Sequence, residues 1–190
     1  MKLLFALTLL IGATSGVAEN IGRPKPWPTA LERFLDHRHT QVIEVHEVAQ
    51  YRSGEELIKM TGLVARNDHT HPSEMRGIWF AVVVSEGDKL DNIYLPVKRA
   101  VALRARLVEM SETANHWTPG NTPMAMLGTE DCRPSLPVPR MHKLCVGLYK
   151  RQDEIGLAVS TGNASLFLED VKLSDFVDSI DLALASIERP

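Results

Sequence analysis

Between Ser111 and Met141 the chain carries Pro119, Gly120, Pro123, Pro134, Pro137 and Pro139, and no other stretch limits its fold so strongly. Proline lacks a backbone N–H and fixes φ, so helices and central strands break wherever it recurs. A connector of this length divides the sequence into an N-terminal and a C-terminal part. Cys132 and Cys145 are the 2 cysteines of the chain, and they bracket a proline-rich run from Arg133 to Arg140. That run cannot hold itself by ladder or helix hydrogen bonds. A disulfide between the two cysteines would give it shape, contributing about 3 kcal/mol for a loop of roughly 15 residues on the chain-entropy argument. A redox role would want a Cys-x-x-Cys spacing, and the sequence has none.

Disulfides persist in oxidising compartments, and the start of the chain carries a matching address. Lys2 is followed by an uncharged apolar run from Leu3 to Gly12 and by the small residues Gly16-Val17-Ala18. This is the pattern of a cleavable secretory signal, with a mature start near Glu19. The run is too short to cross a bilayer as a helix, which needs about 20 apolar residues. No later apolar stretch reaches that length, so no transmembrane segment is expected after cleavage. The expected location is the bacterial periplasm or the extracellular space.

The hydrophobic share of 44% and the charged share of 24% are those of an ordinary globular protein. With a formal net charge of −3, made one unit more acidic by loss of Lys2, the chain has no overall pull toward nucleic acid or anionic lipid.

Local patterns predict the elements. Pro24, Pro26 and Pro28 impose an extended lead-in, and Thr29 caps a short helix over Ala30–Asp36 with Leu31, Phe34 and Leu35 on one face. Val42 to Val48 reads as a short strand, followed by a turn at Tyr51-Arg52-Ser53-Gly54. Glu56 to Ala65 reads as a strand in which Gly62 marks a bulge or a sharp bend. Arg76–Val84 is dense in β-branched and aromatic residues and Asn92–Val97 returns beside it. In Val101–Leu107 apolar residues alternate with Ala102, Arg104 and Arg106, a period of two that predicts a strand with one arginine-bearing face. A helix is the alternative there, because Ala, Leu and Arg are strong helix formers. Beyond the connector, strands are expected over 144–150, 155–160 and 165–168. Leu173, Phe176, Val177, Ile180, Leu184 and Ile187 then fall at helical spacing, with Ser174 as the N-cap.

The resulting expectation is a β-rich α+β fold. It comprises a leader over 1–18, a proline-rich lead-in and short helix over 19–40, and a β-rich small barrel or sandwich over 41–112. The connector over 113–143 and a three-stranded sheet packed by a C-terminal helix over 144–190 complete it. The strand-glycine-strand grammar of Ile58–Val64 and Gly77–Ala81, closed by Ala100–Glu109, resembles an OB-fold. That resemblance implies an OB-like barrel used for binding rather than catalysis.

Catalytic signatures are missing from the sequence: it has no Gly-x-Ser-x-Gly elbow, no phosphate-binding glycine loop and no Ser-x-x-Lys. The first expectation is therefore an exported, disulfide-stapled binding protein without cofactor or catalysis, whose partner is another exported protein or an envelope component. Two alternatives stand beside it. His37-Arg38-His39 and His69-Thr70-His71 are His-x-His pairs that could present two imidazoles each to zinc or copper, with Asp36 and Asp68 adjacent, as in a metal-binding protein or a metal-dependent enzyme. Lys98, Arg99, Arg104 and Arg106 beside Trp79 and Tyr94 form a basic, aromatic-bearing patch that could meet an oligonucleotide or polysaccharide.

Overall fold

The computed structural model describes residues 28–68, 72–84, 89–114, 116, 124–128, 144–151, 154–161 and 165–188. The fold is mixed α+β and strand-rich. It begins with the short helix α1 (Ala30–Leu35), whose N-cap Thr29 exchanges both bonds of a capping box with Glu32. A four-stranded antiparallel meander follows: β1 (Thr40–Ser53), β2 (Glu56–Asn67), β3 (Ser73–Val84) and β4 (Lys89–Pro96), in that spatial order. Helix α2 (Val97–Ala114) leads on to a second meander of β5 (Met124–Gly128), β6 (Cys145–Arg151), β7 (Glu154–Ser160) and β8 (Ser165–Leu168), and α3 (Leu173–Ile187) ends the described chain. After α1, the described residues thus twice follow the order of four antiparallel strands and then a helix.

Both helices pack on one face of the first sheet, and the second sheet joins the same core. Ile78, Phe80 and Val82 of β3 meet Leu103 and Leu107 of α2, Phe176 and Ile180 of α3, and Val146, Leu157 and Leu166 of the second sheet in one apolar cluster. Phe80 and Phe176 stack with centroids 6.3 Å apart. Both are fully buried, and burial of such a side chain stabilises the fold by about 1.5–3 kcal/mol.

Several expectations are corrected. The segment 101–107 is helical: Ala100, Leu103, Leu107 and Met110 are the buried positions of α2, a 3–4 spacing that outweighs the chance alternation of alanine and arginine. The segment 100–109 therefore supplies no final OB-like strand, and no strand pairing closes either sheet into a barrel among the described residues. The connector is not free of regular structure, because β5 lies within it and pairs with β6 to widen the expected three-stranded sheet to four. The first turn falls at Gly54-Glu55, where Gly54 takes φ 60°, and β1 runs on to Ser53.

Gly62 marks no bulge. Its register with His46 is regular, and the irregularities of that ladder lie in β1, at Val42/Glu44 and Glu47/Ala49. The glycine instead admits α3. A Cβ there would collide with Ser186 Oγ and lie 2.9 Å from Ile187 Cγ2 and 3.0 Å from the Ala183 carbonyl oxygen. The N-cap of α3 is Lys172 rather than Ser174, whose hydroxyl turns to Asp175 instead.

Candidate binding surface

Directly opposed residues of an antiparallel ladder point to the same side of the sheet, so the register sorts the first sheet into two faces. The inner face carries Ile58, Met60, Ile78 and Phe80 and is covered by α2 and α3. The outer face carries the ranks Val45–Leu63–Gly77, Glu47–Thr61–Trp79–Tyr94 and Lys59–Ala81–Asn92. Helix α1 lies across one end of this face. A Cβ on Gly77 would lie 2.5 Å from Leu31 Cδ2, and Thr29 Oγ1 donates to the Tyr94 carbonyl at 2.6 Å.

Beyond α1 the outer face presents a half-buried aromatic pair. The rings of Trp79 and Tyr94 stack at 5.9 Å between centroids and 13° between planes. Trp79 Nε1 donates to Asn92 Oδ1 at 2.9 Å, which fixes the indole along the strands. Thr61, directly opposite Trp79 on β2, is only 4% exposed, whereas Leu90 at the start of β4 is 60% exposed. Burial, and then the nearby Glu32 and Asp36 carboxylates, push the Tyr94 phenol above its ordinary pKa, so its hydroxyl stays a neutral donor. Lys59 and Glu47 flank the strip with an exposed ion pair at 3.3 Å. The arrangement offers flat aromatic area, an amide and a hydroxyl, which are the elements of an amphipathic recognition surface.

The residues of the basic patch are not brought together. Arg104 and Arg106 are separated by about 200° around a helix, so they flank α2 on different sides. Arg104 is engaged by Asp181 of α3 through two bonds of 2.8 Å. The Arg106 guanidinium folds back to the Ala102 carbonyl at 3.4 Å, and Lys98 and Arg99 are exposed in the first turn. Trp79 sits on the sheet face opposite the one that α2 covers.

His37 and His39 are exposed, with ring centroids 6.2 Å apart, just ahead of β1. The Asn67 amide donates to His37 Nδ1 at 2.9 Å. His69 and His71 lie outside the described residues. Among the described residues no group of three His, Cys, Asp or Glu side chains is placed to hold a metal ion. Cys145 opens β6 and is 5% exposed, and no cysteine among the described residues is a free thiol. Cys132, Trp27, Trp117 and the leader lie outside the described residues. No helix among the described residues is long and apolar enough to cross a membrane.

Sequence reasoning singled out Trp79 and Tyr94 but missed Asn92, Thr61 and Leu90. Their signal is the ladder register, which sets Thr61 opposite Trp79, Asn92 in the next rank and Leu90 two ranks along the same face, and which a one-dimensional pattern does not carry. Comparison of the chain with protein-family models, curated proteins and solved structures finds no match.

Proposed function

We propose that this chain is an exported, disulfide-stapled binding protein of the periplasm or extracellular space. Its outer sheet face recognises another exported protein or an envelope component. The observation that carries the reading is the Trp79–Tyr94 stack, pinned by Asn92, on a sheet face that leaves Leu90 exposed two ranks further along. Large aromatics held rigid in a half-open setting supply contact area at low entropic cost, as interface anchors do. The buried position of Cys145 supports a staple to Cys132, and the leader pattern supports export.

Photo-cross-linking in the native host tests the surface. A photoreactive amino acid in place of Leu90 should capture an envelope partner, and Trp79→Ala should abolish the adduct. The same probe in place of the exposed Glu109 on α2 should capture nothing. Equal capture at both positions, or none at 90, contradicts the reading.

A second reading, zinc or copper binding through His37, His39, His69 and His71, is favoured by one feature of the register. Thr40 pairs with Asn67 and Asn67 with Ser73, so the strand ends adjoining both His-x-His motifs meet at one end of the sheet. Elemental analysis of untagged protein tests it. Stoichiometric metal supports the reading, and less than about a tenth of an equivalent ends it.

A further inference from the structure

β1 is an edge strand of the first sheet; β8 approaches it and Val48, Ala49 and Tyr51 pack on the core, but its first half is exposed and apolar where an edge strand is ordinarily guarded. Residues 41–47 are all exposed, and Val42, Ile43 and Val45 stand 48%, 40% and 56% exposed. These are three of the large apolar side chains left to solvent, gathered in one strand whose outward N–H and C=O groups face no other strand of its sheet. Such an edge is a template for pairing with a further strand.

We propose that the partner is a second copy of this chain, joined by antiparallel pairing of the two β1 edges about a two-fold axis through Val45. The choice follows from self-complementarity. A two-fold axis normal to the sheet keeps each face on its own side, so it must pass through a residue. Centring on Glu44 sets that carboxylate against its own copy, and centring on His46 sets Val45 against Glu47. Centring on Val45 sets valine against valine on the outer face and Glu44 against His46 of the second copy, twice over, on the inner face. Opposite partners in directly opposed positions stabilise a ladder and like charges weaken it. Glu44 and His46 already face each other within one chain at 3.3 Å, so both side chains point to the face where the pairing needs them. The irregularities at Val42/Glu44 and Glu47/Ala49 bracket a regular run from Glu44 to Glu47, and within it the charge pairing selects Val45 over His46 as the centre. The result is one continuous eight-stranded sheet whose outer face carries two Trp79–Tyr94 strips. The inference concerns β1 alone and does not require that those strips bind anything.

Sedimentation equilibrium of the mature chain, up to about 100 μM, tests the proposal. Wild type should show a monomer–dimer equilibrium. His46→Glu sets carboxylates at 44 and 46 against each other and should weaken the dimer at least about ten-fold. The double variant Glu44→Lys, His46→Glu should restore it. Val45→Cys should cross-link on mild oxidation, because directly opposed Cα atoms lie within disulfide range, whereas Val101→Cys on α2 should not. A wild-type chain that stays monomeric, or a dimer that ignores both charge variants, overturns the proposal. A circular-dichroism melt of each variant separates lost pairing from lost folding.

Discussion

The Arg104 guanidinium grips the Asp181 carboxylate with two parallel bonds of 2.8 Å, and so ties the helix of the first half to the helix of the second. The carboxylate holds the guanidinium pKa above its ordinary value, chiefly through these hydrogen bonds. Both side chains keep about two-fifths of their surface in water, at 40% and 43%, where ion pairs are screened and contribute little. Arg104→Ala should therefore lower Tm only slightly, and the difference from wild type should shrink in high salt. A double-mutant cycle with Asp181→Ala in thermal unfolding checks this. Arg104→Lys should recover only part of the loss, because an ammonium cannot make the paired contact.

Two glycines should respond differently to alanine. At Gly62 the new methyl would strike the last turn of α3, including the Ala183 carbonyl, so Gly62→Ala should cost about 1–3 kcal/mol through overpacking. At Gly54 there is open space but φ is 60°, so Gly54→Ala should cost about 1–2 kcal/mol through backbone strain. Urea unfolding separates the causes: Gly54→Asn should recover stability at the turn, since asparagine tolerates this backbone region, whereas Gly62→Asn should be worse than Gly62→Ala.

Alkaline pH should weaken the fold through Tyr51. Its hydroxyl lies 2.6 Å from Ser179 Oγ and donates to the Asp175 carbonyl at 2.9 Å, joining β1 to α3. Burial pushes the phenol above its ordinary pKa of 10.0, an effect that the Ser179 hydrogen bond partly offsets. In the unfolded chain the phenol loses its proton first, so its contribution is complete below pH 10 and is lost as pH climbs through the folded-state value. Chemical unfolding should show stability falling above about pH 10, less steeply in Tyr51→Phe. At neutral pH that variant should cost about 1 kcal/mol, the net worth of a hydrogen bond.

How much of this was legible in the sequence depends on the period each element carries. Helix α3 shows its buried stripe, Leu173 to Ile187, without interruption, and β3 shows a dense β-branched and aromatic run. Thr29 and Glu32 form the capping box of α1. In α2 alanine occupies both faces, so Val101, Leu103, Ala105 and Leu107 mimic a strand although only Leu103 and Leu107 of these are buried. In β1 the two register shifts break the alternation, and exposed Val45 and His46 read as half of a short strand rather than part of 14 residues. Strand β5 hides among prolines because its pairing partner, β6, comes later in the chain. The outer aromatic strip depends on which residue opposes which, and that relation exists only after folding.

If the proposed Cys132–Cys145 staple is present, its loss should loosen the second sheet, where Cys145 opens β6 between the buried Leu144 and Val146. Reduction, or Cys132→Ser, should destabilise the chain by about 3 kcal/mol, read as a lower Tm in matched scans with and without reductant. Cys145→Ser should cost more than Cys132→Ser, because it also leaves a hydroxyl in a buried apolar position.

The proposed export to an oxidising space underlies both the proposed staple and the choice of an envelope partner. Intact-mass measurement of the protein isolated from its native host under alkylating conditions tests it most directly. The account predicts a chain beginning at Glu19, two hydrogens lighter than the reduced form, with no alkylated sulfur. A chain retaining Met1, with Cys132 and Cys145 both alkylated, would contradict it.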